Sequence, residues 1–184
     1  MATPSSMLPL GTSLPAVRLT DAATGSQVDV TTLSEGKRGV LVAFICNHCP
    51  YVVHLRKELV RVAHEAIDLG FAVVAINSND RVTYPQDGPE AMARLAKDET
   101  WRFPFLFDAS QDVARAMRAE CTPDLFLFDG DRKLVYRGQF DDSRPSNGKP
   151  VTGRDLRAAI DAVLSGKKPL ADQKPSIGCN IKWA

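Results

Sequence analysis

The chain is poor in three things: charge of one dominant sign, long apolar runs and cysteine. Lysine and arginine number 23 against 22 acidic residues, a formal charge of +1. No field of one sign is therefore on offer to hold nucleic acid or an anionic membrane surface. No apolar stretch approaches membrane-spanning length. Residues 1–11 lack a basic start and carry Pro4 and Pro9 where a secretory leader needs an unbroken apolar segment. These absences predict a soluble cytoplasmic protein with neither nucleic acid nor membrane as a partner. A Gly-x-Gly-x-x-Gly run is also missing, which argues against a bound dinucleotide. Four cysteines in 184 residues are too few for a disulfide-stapled mini-fold. In a reducing compartment their expected uses are redox chemistry, metal binding or simple burial.

What is present is a chain that is 44% hydrophobic and long enough to enclose one core. Residues 16–19 and 27–30 flank a polar turn and read as a hairpin. Residues 40–45 form a nearly continuous apolar run, the mark of a strand covered on both faces. From Pro50 onward Val52, Leu55, Leu59, Val62 and Ala66 step by three and four along one helical stripe that stops at Gly70. Residues 71–76 are a second buried strand. A helix entered through Pro89, a short strand over 103–107 and a short helix over 111–118 follow. Strands over 125–128 and 133–137 are joined by an Asp129-Gly130 hairpin signal. Thr152 reads as the cap of a helix over 153–165.

This order predicts an α/β fold: a mixed sheet flanked by helices, with an N-terminal hairpin and an inserted segment after the second core strand. Residues 1–166 would form the domain. Residues 167–184, with Pro169, Pro175 and Gly178, would form an extended C-terminal tail packed on it.

The chemistry concentrates in Cys46-Asn47-His48-Cys49-Pro50. Both cysteines stand at the carboxyl end of the first buried strand, where open α/β sheets place their reaction crevice. Pro50 is best placed as the first helical residue, which sets Cys49 at the helix N-terminus beside free N–H groups. A free thiol has a pKa near about 8.5, and such a position lowers it to roughly 3.5 to 7.5. Cys49 is the candidate nucleophile and Cys46 the candidate resolving thiol. His48, between them, titrates near neutrality and can tune them. Half a zinc site with His48 or His54 is the competing reading, but no second Cys-x-x-Cys or His pair follows at the usual distance. Attached haem needs histidine where Pro50 stands. Two inert core cysteines would be unlike a pair bracketing a polar Asn-His. Asn77, Asp80 and Tyr84, and separately Asp141, Asp142 and Arg144, follow strands and could rim the same crevice.

Four phrases carry a wider resemblance: Phe-Ile-Cys-Asn-His-Cys-Pro-Tyr-Val from Phe44, Ala-Ile-Asn-Ser-Asn-Asp from Ala75, Cys-Thr-Pro-Asp from Cys121 and Pro-Ser-Ile-Gly-Cys-Asn-Ile-Lys-Trp from Pro175. On them the chain resembles the thioredoxin superfamily, and within it the peroxiredoxin-like proteins of the alkyl hydroperoxide reductase and thiol-specific antioxidant group. The resemblance implies a thioredoxin-like fold in which a cis peptide bond at Pro123 faces the Cys-x-x-Cys helix. It also makes Cys121, on that loop, a second possible resolving thiol. Departures accompany the matches. Aligned on Phe44, Cys49 falls at the first cysteine of ordinary thioredoxins and Val52 at their second. The strand reading Val40-Leu41-Val42-Ala43 lacks the carboxylate that thioredoxins keep beneath the pair. Peroxiredoxins carry threonine three residues before their reactive cysteine, and here those positions are Cys46 or Ala43.

The expected activity is thiol–disulfide exchange. Cys49 would attack a disulfide in a protein or small-thiol substrate, Cys46 or else Cys121 would resolve the mixed disulfide, and a dithiol protein or small thiol would restore the electrons. No metal or organic cofactor is required, and the chain would act as a monomer or homodimer. Thiol peroxidase chemistry and a non-catalytic binding module are the alternatives. Cys179 is expected to have a structural or regulatory place in the tail.

Overall fold

The computed structural model describes residues 2–184; Met1, the first residue of the segment read for a leader, lies outside them. Strand β1 (Ala2–Pro4) is followed by the hairpin β2 (Arg18–Asp21) and β3 (Gln27–Asp29), then by a single-turn helix α1 (Val30–Leu33). The central unit is β4 (Gly39–Phe44), α2 (Pro50–Asp68) and β5 (Ala72–Asn77). A 3-10 turn (Pro85–Asp87), α3 (Pro89–Asp98), β6 (Phe105–Phe107) and α4 (Asp112–Ala116) come next. The chain ends with β7 (Cys121–Thr122), β8 (Asp124–Asp129), β9 (Leu134–Gly138), α5 (Arg154–Leu164) and β10 (Ile177–Asn180).

Seven strands form one mixed sheet in the order β3-β2-β6-β5-β4-β8-β9. The β4/β5 and β5/β6 pairs are parallel, and β8 runs antiparallel between β4 and β9. Every residue of β4 and β5 is buried. Because strand side chains alternate, Leu41 and Ala43 face α2 and α5 through Leu55, Leu59, Val62, Leu156 and Ile160. Val40, Val42 and Phe44 face the opposite layer with Met117, Phe126 and Phe128. This is the thioredoxin-like mixed sheet flanked by helices that the sequence predicts. Among the described residues no helix is long and apolar enough to cross a membrane.

Local departures from the sequence reading have identifiable causes. Val30, read as strand, begins α1 because the Asp29 side chain accepts from the N–H groups of Thr31 and Thr32 at 2.9 and 3.2 Å. Thr152, read as the cap of α5, yields that place to Gly153 at φ +65°. The carboxylate of Asp141 there takes the Thr152 and Gly153 N–H groups, each at 2.7 Å. A Cβ at Gly153 would lie 2.6 Å from the Phe140 ring, so glycine alone suits both the dihedral and the space.

A second, three-stranded sheet, β1-β10-β7, was not legible in the sequence. It draws the C-terminal tail across the cis-proline loop. The tail is also fastened at Ser176, whose hydroxyl donates to the Gly138 carbonyl at 2.7 Å, and at Ile181, whose N–H donates to the Glu120 carbonyl at 3.1 Å. Beyond them the Lys182 N–H donates to Asn79 at 2.9 Å.

Candidate active site

Strand β4 ends at Phe44, and the Ile45 N–H makes one further bond to the Ile76 carbonyl at 2.9 Å before the chain turns away through Cys46. Cys49 is the N-cap of α2 with extended dihedrals, and Pro50 opens the helix. Both thiols are buried, Cys46 at 1% and Cys49 at 0% exposure. The Thr122–Pro123 peptide is cis, as the resemblance implies. Thr122 meets both sulfurs: its carbonyl accepts from the Cys49 thiol at 3.1 Å, and its hydroxyl lies 3.6 Å from Cys46 Sγ.

The two thiols have opposite acidities. Hydrogen bonding from the Cys46 thiol is the largest influence on Cys49, and it lowers the pKa. Burial opposes it, while the Cys179 thiol, Thr122 and the Val52 N–H add to the lowering. That N–H closes no capping hydrogen bond of ordinary geometry, so the side-chain donors dominate. The Thr122 carbonyl, like burial, favours the protonated form of Cys49, but the two are outweighed by these donors. Cys49 is therefore the acidic thiol. Cys46 is pushed up, first by hydrogen bonding to Cys49, then by burial and by the negative charge of Asp87.

Asp87 is a site residue that the sequence reading missed. It is fully buried, and its Oδ1 accepts from the Asn47 N–H at 2.9 Å while its Oδ2 accepts from Asn79 Nδ2 at 2.8 Å. His48 Nδ1 lies 2.6 Å from Oδ2 without aligned hydrogen-bond geometry. Tyr84 stacks on the His48 ring at 5.6 Å between centroids. Asn77 secures the turn from below, donating to the Asp87 carbonyl at 2.7 Å. The inserted segment thus places a buried carboxylate beside the Cys46 turn. Cys46, His48 and Asp87 each present a possible ligand atom within 4.8 Å of the others, although both Asp87 oxygens already accept hydrogen bonds.

The structure brings Cys46, His48, Cys49 and Pro123 together, along with Tyr84 and Asn77. Cys121 lies on the same loop but directs its thiol to the Pro123 carbonyl at 3.5 Å, and burial followed by the charge of Asp124 pushes its pKa up. Asp80 caps a local turn through Val82 and Thr83. Arg144 spends its guanidinium on the Asp141 and Ser143 carbonyls and on Gln139, so it is bound within its own loop. Asp141 and Asp142 serve the start of α5 and the tail. Cys179, read as a tail residue, sits in β10 opposite Thr122 and packs against the cluster that contains Cys49. The Gly178-Cys179 pair was the available signal, since glycine in a short strand marks a close backbone approach.

The sequence profile of the Redoxin family matches residues 9–154. The chain belongs to the Redoxin family. This Redoxin protein is similar over its whole length to an uncharacterized conserved protein from Geobacillus kaustophilus, with 49% identity, a TM-score of 0.97, and coverage of 100% of this chain and 97% of that one. It is equally similar to the hypothetical protein SMc02350 from Sinorhizobium meliloti 1021, with 50% identity, a TM-score of 0.95, and coverage of 99% and 98%. Peroxidoxin BcpB from Mycobacterium tuberculosis shares the fold at 18% identity and TM-score 0.63, over 87% of this Redoxin chain and 98% of its own. No curated protein matches the sequence. The Redoxin protein is thus a thioredoxin-fold redox protein.

Proposed function

We propose that the protein is a cytoplasmic thiol–disulfide oxidoreductase in which Cys49 is the nucleophile and Cys46 the resolving thiol. One observation carries the reading: Cys49 stands at the head of α2 with its sulfur 3.1 Å from the Thr122 carbonyl of the cis-proline loop, and the neighbouring Cys46 thiol favours its ionised form. The Cys49 thiolate attacks a substrate disulfide and forms a mixed disulfide, releasing the first substrate thiolate. Cys46 then attacks Cys49 Sγ, releasing the second thiolate and leaving a Cys46–Cys49 disulfide. His48, beside buried Asp87, presents a ring nitrogen within 4.8 Å of the Cys46 sulfur and would accept its proton through one bridging water. A dithiol reductant restores both thiols.

The complete burial of Cys49 favours a second reading, a small oxidant such as a hydroperoxide in place of a protein disulfide. The Cys49 thiolate would then attack the hydroperoxide, breaking its O–O bond and releasing an alcohol or water, and the resulting sulfenic acid would condense with Cys46 to the same disulfide with loss of water. In the test, Cys49→Ser is expected to abolish insulin disulfide reduction by a dithiol while the fold survives. Unchanged activity would remove the assignment. A dimedone-type trap on Cys49 after exposure to hydrogen peroxide, with no turnover of insulin, would select the peroxidase reading.

A further inference from the structure

Three of the four cysteines are buried; Cys179 alone is part-exposed. It belongs to β10, the middle strand of the small sheet, where its Cα partner in β7 is Thr122. Thr122 is the residue whose carbonyl touches Cys49 Sγ at 3.1 Å. Such close docking requires Gly178, since a Cβ there would lie 1.9 Å from the Thr122 carbonyl oxygen. The side chain of Cys179 packs on the apolar cluster that includes Cys49, Val52 and Leu55. Two chain segments far apart in sequence therefore bring thiols to one apolar cluster: the β4–α2 turn brings Cys46 and Cys49, and the tail brings Cys179.

We infer that Cys179 is a second resolving thiol for Cys49, so that turnover can pass through a Cys49–Cys179 disulfide that clips the C-terminal strand to the start of α2. This deepens the oxidoreductase reading and rests on it. The Cys49 thiolate opens a substrate disulfide, forming one S–S bond and expelling one substrate thiolate. Cys179, giving up its proton to solvent, attacks Cys49 Sγ, forms the Cys49–Cys179 bond and expels the second thiolate. The substrate disulfide gains two electrons and the two protein thiols lose them. Regeneration follows from exposure. A dithiol reductant approaching from solvent meets the Cys179 sulfur first, and attack there expels Cys49. The pKa pattern supports this polarity, because burial, then contact with Cys49, pushes Cys179 up to about 11 while Cys49 is lowered. The more acidic thiol is the better leaving group.

The test uses the full-length reduced protein and an aromatic disulfide whose reduction releases a coloured thiolate. Cys46→Ser should release about two equivalents of colour per chain, one from attack and one from resolution. Cys46→Ser combined with Cys179→Ser should stop at about one equivalent, the mixed disulfide persisting. Peptide mapping of the oxidised wild-type and Cys46→Ser proteins should recover a cross-link between the Cys49 and Cys179 peptides. A single equivalent from Cys46→Ser, or a map containing only Cys46–Cys49 or Cys121 cross-links, overturns the inference and leaves the nucleophile in place. No release from any variant overturns the inference together with the oxidoreductase reading. The wild-type map stands independently of whether the serine variants fold.

Discussion

Two fully buried carboxylates lie close to the thiols, and they differ in what neutralises them. Asp124, just after cis-Pro123, meets Arg137 at 3.0 Å, and that guanidinium is itself at 0% exposure and lies 4.5 Å over the Phe126 ring. Asp87, below the Cys46 turn, meets only neutral donors and the imidazole of His48, which is 31% exposed. A guanidinium keeps its charge at every accessible pH. Asp124 is therefore committed to its partner and serves the sheet. Asp87 has no permanent cation against it, so its charge reaches the nearest thiol, and Cys46 is less acidic for it. Two carboxylates of equal burial thus do different work, one pairing across β8 and β9 and the other adding to the proton affinity of a thiol.

The largest effect should come from breaking the committed pair. Arg137→Met leaves Asp124 buried without its cation and is expected to cost about 3–5 kcal/mol in urea unfolding. Adding Asp124→Leu to it should recover most of the loss. A loss below about 1 kcal/mol for the single change would show that the pair is not what holds this end of the sheet.

Asp87→Asn should cost less, about 1–3 kcal/mol, because a similar side chain loses one acceptor position. Its sharper consequence is chemical. Removing the negative charge should shift alkylation of Cys46 to lower pH, followed by mass spectrometry of the Cys46 peptide in unfolding-free conditions. An unmoved Cys46 profile would separate Asp87 from the thiols and reduce it to a loop anchor.

Asp141 gives the smallest effect and a calibration, being a buried carboxylate bound by neutral donors alone. Burial opposes its ionisation, but the hydrogen bonds from Ser143, Gly153 and Thr152 outweigh it and hold the carboxyl below the usual range. A depressed folded pKa means stability that is present above the unfolded carboxylate pKa and is lost as pH falls through the folded value. Asp141→Asn should therefore lower stability by about 1–2 kcal/mol at neutral pH, and the gap to wild type should close in acid. A constant gap across the acid range would assign the loss to packing.

Legibility tracked the range of the interactions involved. The stripe of α2 and the apolar runs of β4 and β5 repeat within a few residues, so they were readable to within one or two positions. The Cys-x-x-Cys turn was readable because Pro50 marks where the helix starts. The β1, β7 and β10 strands were not, having two to four residues each and too few side chains to show alternation. Asp87 was equally hidden, since nothing local distinguishes an aspartate in Pro85-Gln86-Asp87-Gly88 from an ordinary polar turn. Its burial depends on Asn47, 40 positions away.

By itself the amino-acid sequence determined the order of strands and helices, the helix start at which Cys49 stands and the thiol character of the site, because periodicity, proline placement and residue chemistry act over a few neighbours. Only the tertiary structure decided which groups surround that sulfur. Burial, pairing of charges and strand docking join residues such as Cys49, Asp87, Thr122 and Cys179 across long stretches of chain, and no local pattern encodes their meeting.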